Sequence, residues 1–178
     1  MITGGPISGL PLSGSDKIMT IKVGDTIPSM KLMMATADGP KEVSTDDIFK
    51  GKKVVLFAVP GAFTPTCSQK HLPGFVQNAA AIKAKGVDTI ALTAVNDAFV
   101  LGAWGKEQGT GDKILMLADG SANLAKALGL EMDITARGMG VRSQRYALVA
   151  ENGKVTYLGV EAPGGFEASK AETILAAL

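Results

Sequence analysis

Cysteine and histidine are nearly absent from this chain: its 178 residues contain one of each. A single cysteine cannot close an internal disulfide. The sequence therefore reads as that of a protein from a reducing compartment, the cytoplasm, or of one that keeps a thiol for chemistry. One cysteine and one histidine also fall short of the roughly four ligands of a structural zinc site, so no metal is expected. Charge of one sign is scarce as well. Eighteen Lys and Arg against 17 Asp and Glu leave a net charge of +1, which gives no electrostatic case for nucleic acid or an acidic membrane surface. No apolar run approaches the ~20 residues needed to span a bilayer. The 22 glycines show no phosphate-loop spacing, so a nucleotide cofactor is not indicated.

What is present is an ordinary globular composition, 46% hydrophobic and 20% charged, in a chain long enough for one sizeable core. Residues 1–18, "MITGGPISGLPLSGSDKI", stand apart. They are rich in Gly, Ser and Pro, lack hydrophobic periodicity, and match neither a secretory signal nor a transit peptide. They read as a disordered leader or an expression remnant. Residues 19–178 read as one domain without repeats or a second linker.

Within that domain, apolar β-branched runs alternate with helical patterns. "KLMMATAD" (31–38) is a candidate strand, and "STDDIF" (44–49) opens a short helix on a Ser cap followed by acids. "KKVVLFAV" (52–59) is too short and too continuous for a helix and reads as a buried central strand. A helix is expected from Thr64-Pro65 to Gly86, with Thr64 as its cap and Pro65 as its first residue. Next come a strand (88–95), an Asn96-capped helix to Gly109, a strand (113–119) and a helix (121–130). "QRYALVAENGKVTYLGV" (144–160) is two strands joined by Asn152-Gly153, a strong hairpin signal. "EASKAETILAAL" (167–178) is a last helix. Alternation of this kind calls for parallel strands with helices on both faces, and the hairpin adds an antiparallel part. The pattern supports an α/β fold; by analogy it is a thioredoxin-like mixed sheet flanked by helices.

The lone thiol sits in "VPGAFTPTCS" (59–68), directly after the central strand. With Thr64 at the cap, Cys67 falls in the first helical turn. Backbone N–H groups lack partners there and the helix dipole is positive, so a thiolate is favoured over a thiol. The same donors could hold a small polar substrate against sulfur. The Thr64 hydroxyl can bond to backbone, to sulfur or to a bound oxygen. Pro60 offers an apolar wall with no competing N–H.

These residues carry a resemblance. Pro60, Thr64 and Cys67 fit the Pro-x-x-x-Thr-x-x-Cys motif of peroxiredoxins. The string "PGAFTPTCS" followed by "KHLPGF" is similar to the atypical, type II branch of that AhpC/TSA, thioredoxin-fold family. "RSQRYALVAENG" resembles the later strand of the branch, which opens with an active-site arginine. The similarity runs in order over most of residues 19–178. It implies a thiol peroxidase for hydrogen peroxide and alkyl hydroperoxides, with Cys67 as peroxidatic cysteine passing through a sulfenic acid. Thr64 would hydrogen-bond peroxide or sulfur, Pro60 would shield the site, and Arg145 would stabilise the thiolate and the leaving oxygen. The backbone N–H groups of Cys67 and Thr66 would complete the donor set. No cofactor is implied. Some type II members resolve the sulfenic acid with a second cysteine; this chain has none, only Ser169 in the late segment where a thiol could have stood. An outside thiol must serve, glutathione with glutaredoxin first and thioredoxin second. A homodimer is implied as well.

Plainer readings compete for several residues. Arg137, Arg142 and Arg145 cluster, and most arginines are solvated; Arg145 is chosen because it opens an apolar strand and fits the resemblance. Arg142 could line the pocket or pair with an acid. His71, four residues after Cys67, could face the thiol, but a lone helical histidine is more often a structural hydrogen-bonder. Its loss is expected to leave most peroxidase activity, whereas a cysteine hydrolase built on Cys67 and His71 would require it. Pro73 should kink the helix there. Phe99 and Trp104 read as core or interface packing. A non-enzymatic redox sensor on the same scaffold is the other alternative.

Overall fold

A computed structural model describes residues 20–178, and the leader expectation for residues 1–18 lies outside them. The chain runs β1 (Lys31–Thr36), β2 (Gly39–Ser44), α1 (Thr45–Phe49), β3 (Lys53–Ala58), a π-helical turn (Cys67–His71), α2 (Leu72–Ala84), β4 (Thr89–Ala94) and α3 (Ala98–Gln108). It continues β5 (Leu115–Ala118), α4 (Asn123–Leu128), β6 (Glu131–Asp133), a 3-10 turn (Thr135–Arg137), β7 (Val141–Ser143), β8 (Tyr146–Glu151), β9 (Lys154–Val160) and α5 (Ala171–Ala177). Seven strands form one sheet in the order β2-β1-β5-β4-β3-β8-β9, and β6 pairs with β7 apart from it. β3, β4 and β5 are parallel, while β8 and β9 add an antiparallel flank. This is the mixed α/β architecture expected from the alternation.

β3 shows why the continuous apolar run had to be central. Val55, Phe57 and Val59 face one core with Leu72, Phe75 and Ile82 of α2, Leu101 and Trp104 of α3, and Ile174 of α5. Val54, Leu56 and Ala58 face the other, with Ile48 and Phe49 of α1 and Leu124 and Leu128 of α4. Both sides of the strand are covered, so both must be apolar. Among the described residues no helix is long and apolar enough to cross a membrane.

Local chemistry sets most boundaries. Ser44 caps α1 in a reciprocal box with Asp47. Asn152 and Gly153 take φ of 52° and 80°, as a two-residue hairpin turn demands. Several expected bounds shift. Asp97, not Asn96, caps α3 through its side chain on Val100 N–H; Asn96 Oδ1 instead accepts the N–H of Ala62, 3.0 Å away. The helices expected at 121–130 and 167–178 are shorter, at Asn123–Leu128 and Ala171–Ala177. β2, β6 and β7 had no counterpart in the sequence reading. β2 is a largely exposed edge strand with Pro, Gly and charges, and the other two are only three residues long.

α4 depends on a buried carboxylate. Asp119 is 4% exposed, and its two oxygens accept the N–H groups of Leu124 and Ala125 at 2.9 Å. Burial pushes its carboxyl above the ordinary value, and these N–H bonds and Lys126 oppose that rise. Replacing Asp119 by Ala leaves both donors unpaired inside the protein. The expected cost is roughly 1–3 kcal/mol in urea unfolding; an unchanged midpoint would show that α4 does not need this cap.

Candidate active site

The site forms where β3 ends. Val59 continues the ladder through its N–H to the carbonyl of Thr93. The chain then turns through Pro60–Thr64, and Phe63 takes a left-handed φ of 63°, a strained conformation for a bulky residue. A helical turn starts at Pro65, with Ser68 N–H bonded to the Thr64 carbonyl at 2.9 Å. Cys67 therefore lies in the first turn, as expected, and it is completely buried.

Two details differ from a regular capped helix. The Thr64 hydroxyl does not cap it; it donates to the carbonyl of Gly61 at 2.7 Å. And the backbone from Cys67 to His71 is wound one residue wide, with Leu72 N–H reaching back to the Cys67 carbonyl. Pro73 has no N–H to offer, so the expected irregularity appears as a π turn immediately before it.

Arg145 reaches the thiol because of strand register. β8 runs antiparallel to β3 with Tyr146 opposite Ala58. The residue before β8 thus lies beside the loop that leaves β3. One terminal nitrogen of Arg145 donates to Cys67 Sγ at 3.2 Å. The other lies 2.9 Å from His71 Nδ1. A guanidinium can only donate, so Nδ1 is the acceptor and the proton sits on Nε2, 2.9 Å from the carbonyl of Ser169. Both ring nitrogens are occupied. Burial first, then the neighbouring Arg145, lower the histidine's pKa to about 3, against smaller opposing effects from Ser169 and Glu161. A base for a hydrolase needs a free nitrogen and a pKa near neutrality; His71 has neither. It is a structural hydrogen-bonder, as the sequence suggests, and one of its partners is the arginine on the sulfur, a link the sequence reading did not contain.

The remaining candidates surround this pair. Arg142 donates from Nε to the Met139 carbonyl at 2.9 Å and from a terminal nitrogen to the Pro60 carbonyl at 3.2 Å. It fastens the β6–β7 region to the active loop and does not touch the sulfur. Arg137 is exposed. Pro60 is half-buried at the strand exit. The N–H groups of Thr66 and Cys67 belong to the first turn, which has no helical acceptors for them. Trp104 is fully buried, and its indole N–H donates to Ser68 Oγ at 2.9 Å, a tie that nothing in the spacing announced. Phe99, by contrast, is 74% exposed; five residues from Trp104, at ~100° each, place it on a different helix face. Among the described residues no group of His, Cys, Asp and Glu is arranged to hold a metal ion.

The redoxin family profile matches residues 22–175. The chain is 52% identical over 169 residues to peroxiredoxin-2E-2, chloroplastic, of Oryza sativa subsp. japonica, covering 92% of this chain and 75% of that one. It is 50% identical to peroxiredoxin-2C of the same organism, over 89% of this chain and 98% of that one. The crystal structure of reduced Prx3 from Vibrio vulnificus in complex with hydrogen peroxide superposes with a TM-score of 0.85 at 57% identity, covering 89% and 99% of the two chains. The chain is a type II peroxiredoxin of the redoxin family. It is a peroxidase enzyme with the thioredoxin-like fold of that family.

The peroxiredoxin's buried histidine has a consequence for stability. Below pH 6.5 the unfolded chain binds a proton that the folded chain refuses until about pH 3. Stability present above pH 6.5 should therefore fall as pH drops through that window, by on the order of 1 kcal/mol per unit. Urea titrations at pH 7 and pH 5 should show a smaller loss in His71→Gln than in the parent. Equal losses would mean the imidazole is not held neutral.

Proposed function

We propose that Cys67 is the peroxidatic nucleophile and that Arg145 activates it. The supporting observation is the guanidinium bonded to the enclosed sulfur at 3.2 Å. The sulfur attacks one oxygen of R–O–O–H as thiolate. An S–O bond forms, the O–O bond breaks, and the leaving R–O⁻ takes a proton to become an alcohol or water. Sulfur ends as sulfenic acid. Arg145 supplies positive charge to both the thiolate and the developing oxyanion without reorganising. The Thr64 hydroxyl, already turned toward the Gly61 carbonyl, presents its oxygen lone pairs as an acceptor for the peroxide proton. The Thr66 and Cys67 N–H groups complete the donors, and Pro60 walls the site.

Hydrogen peroxide and alkyl hydroperoxides are the proposed substrates. The 57% identical Vibrio protein, solved with hydrogen peroxide bound, supports the first. With one cysteine in the chain, the second half of the cycle falls to an outside thiol: attack on the sulfenic acid expels water and leaves a mixed disulfide, which a second thiol reduces. Glutathione with glutaredoxin is the proposed reductant, ahead of thioredoxin. No prosthetic group is required, since the electrons come from the outside thiol. A homodimer in the cytoplasm completes the reading.

Stopped-flow mixing of the reduced protein with hydrogen peroxide, with mass measurement of Cys67, tests the core of it. Oxidation should far outpace that of free cysteine, and a comparable rate would sink the reading. Arg145→Ala should slow oxidation by about 10²–10³, and Arg142→Ala much less; the reverse order would move the assignment to Arg142. His71→Ala should slow it by about tenfold, because Arg145 loses one of its two anchors. Turnover with glutathione and glutaredoxin, compared with thioredoxin, identifies the reductant.

A further inference from the structure

The loop between β9 and α5, residues 161–170, is strapped down by bonds that the proposed chemistry leaves unexplained. Glu161 Oε2 accepts both the backbone N–H of Ser169 at 2.7 Å and its hydroxyl at 2.6 Å. The Tyr157 hydroxyl donates to the carbonyl of Ala168 at 2.9 Å. Gly159 lies directly beneath: a Cβ there would collide with that carbonyl. Glu161 stays ionised although burial works against its charge, because N–H groups of Glu167, Ser169 and Ala168 and the Ser169 hydroxyl hold its carboxyl below the ordinary range. Closing a surface loop does not require this. Inward, the strap fixes the carbonyl of the fully buried Ser169, which accepts the Nε2–H bond of His71, and the same loop sets the Phe166 ring edge-on against that imidazole.

The choice of tautomer matters. With the proton on Nε2, Nδ1 is a lone pair aimed at Arg145. With it on Nδ1, two donors would face each other and the guanidinium would be pushed from its place. A carbonyl opposite Nε2 selects the first arrangement. We infer that Glu161 is a positioning residue for peroxide reduction, which through the Ser169 peptide fixes the tautomer of His71 and through His71 the aim of Arg145 at Cys67. The inference rests on the reading that Arg145 and Cys67 are the reacting pair.

The protein offers a direct probe, because His71 is its one histidine and its imidazole nitrogens give unambiguous signals in a nitrogen-15 spectrum. In the full chain, Glu161→Ala should slow oxidation of Cys67 by hydrogen peroxide about tenfold. It should also either populate the Nδ1–H tautomer or abolish the slow solvent exchange of the Nε2 proton. Glu161→Gln, whose amide oxygen can still accept from Ser169, should restore the parent spectrum and most of the rate. A parent rate in Glu161→Ala overturns the proposal. So does a slowed rate with an unaltered histidine spectrum, which would make the strap a merely structural one. Should Glu161→Ala not fold, Ser169→Ala carries the test: losing the hydroxyl half of the Glu161 clamp must slow oxidation and shift the same signals, and parent values in both overturn it. Arg145→Ala, measured alongside, separates the two levels. If it is slow while Glu161→Ala is not, this proposal alone fails; if Arg145→Ala is as fast as the parent, the reading beneath it fails.

Discussion

The contact between the Arg145 guanidinium and Cys67 depends on a backbone register. β8 must run antiparallel beside β3, with Tyr146 opposite Ala58, for a residue 78 positions away in sequence to meet the thiol at 3.2 Å. Six paired positions along β3 and β8, buried on both sides, make that register rigid. A slip of one residue would turn the apolar side chains of β8 to the opposite faces. The contact thus inherits the precision of the sheet, while the loop and first turn that carry the sulfur supply the electrostatics around it. Neither part alone makes a site.

The arginine is held at two points, and each has its own support. Cys67 and His71 lie four residues apart on a turn wound one residue wide, and both reach the same guanidinium. His71 in turn leans on the peptide of Ser169. A cation in this position needs such fixing, because a free arginine side chain has several rotatable bonds and loses considerable entropy when ordered. Its companion Arg142 ties the Met139 carbonyl to the Pro60 carbonyl. The two arginines are three residues apart, and only the one adjoining the long sheet strand meets sulfur.

Much of this was legible in the residues. "KKVVLFAV" declared a two-sided central strand, Asn152-Gly153 a hairpin, Thr64-Pro65 a helix start with Cys67 in its first turn. What was not legible has physical causes. Strand order is set by packing between distant elements, so the residues marked Arg145 only as the opening of an apolar strand, and the resemblance supplied its place beside the thiol. β2 escaped because an exposed edge strand needs little apolar surface, and "GPKEVS" has little. Phe99 does not join Trp104 in the core because five helical residues do not return to the same face. The links of Glu161 to Ser169 and of Trp104 to Ser68 follow no period, since side-chain hydrogen bonds between loops or across helices leave no regular mark in a sequence.

The indole of Trp104 rests against the π turn through Ser68, the residue next to the thiol. It is the one tryptophan in the chain, enclosed and hydrogen-bonded. Any rearrangement of the turn that breaks this bond changes the polarity around a single fluorophore. The protein therefore contains its own optical gauge, placed one residue from the buried thiol, and light emission reports whatever moves that turn.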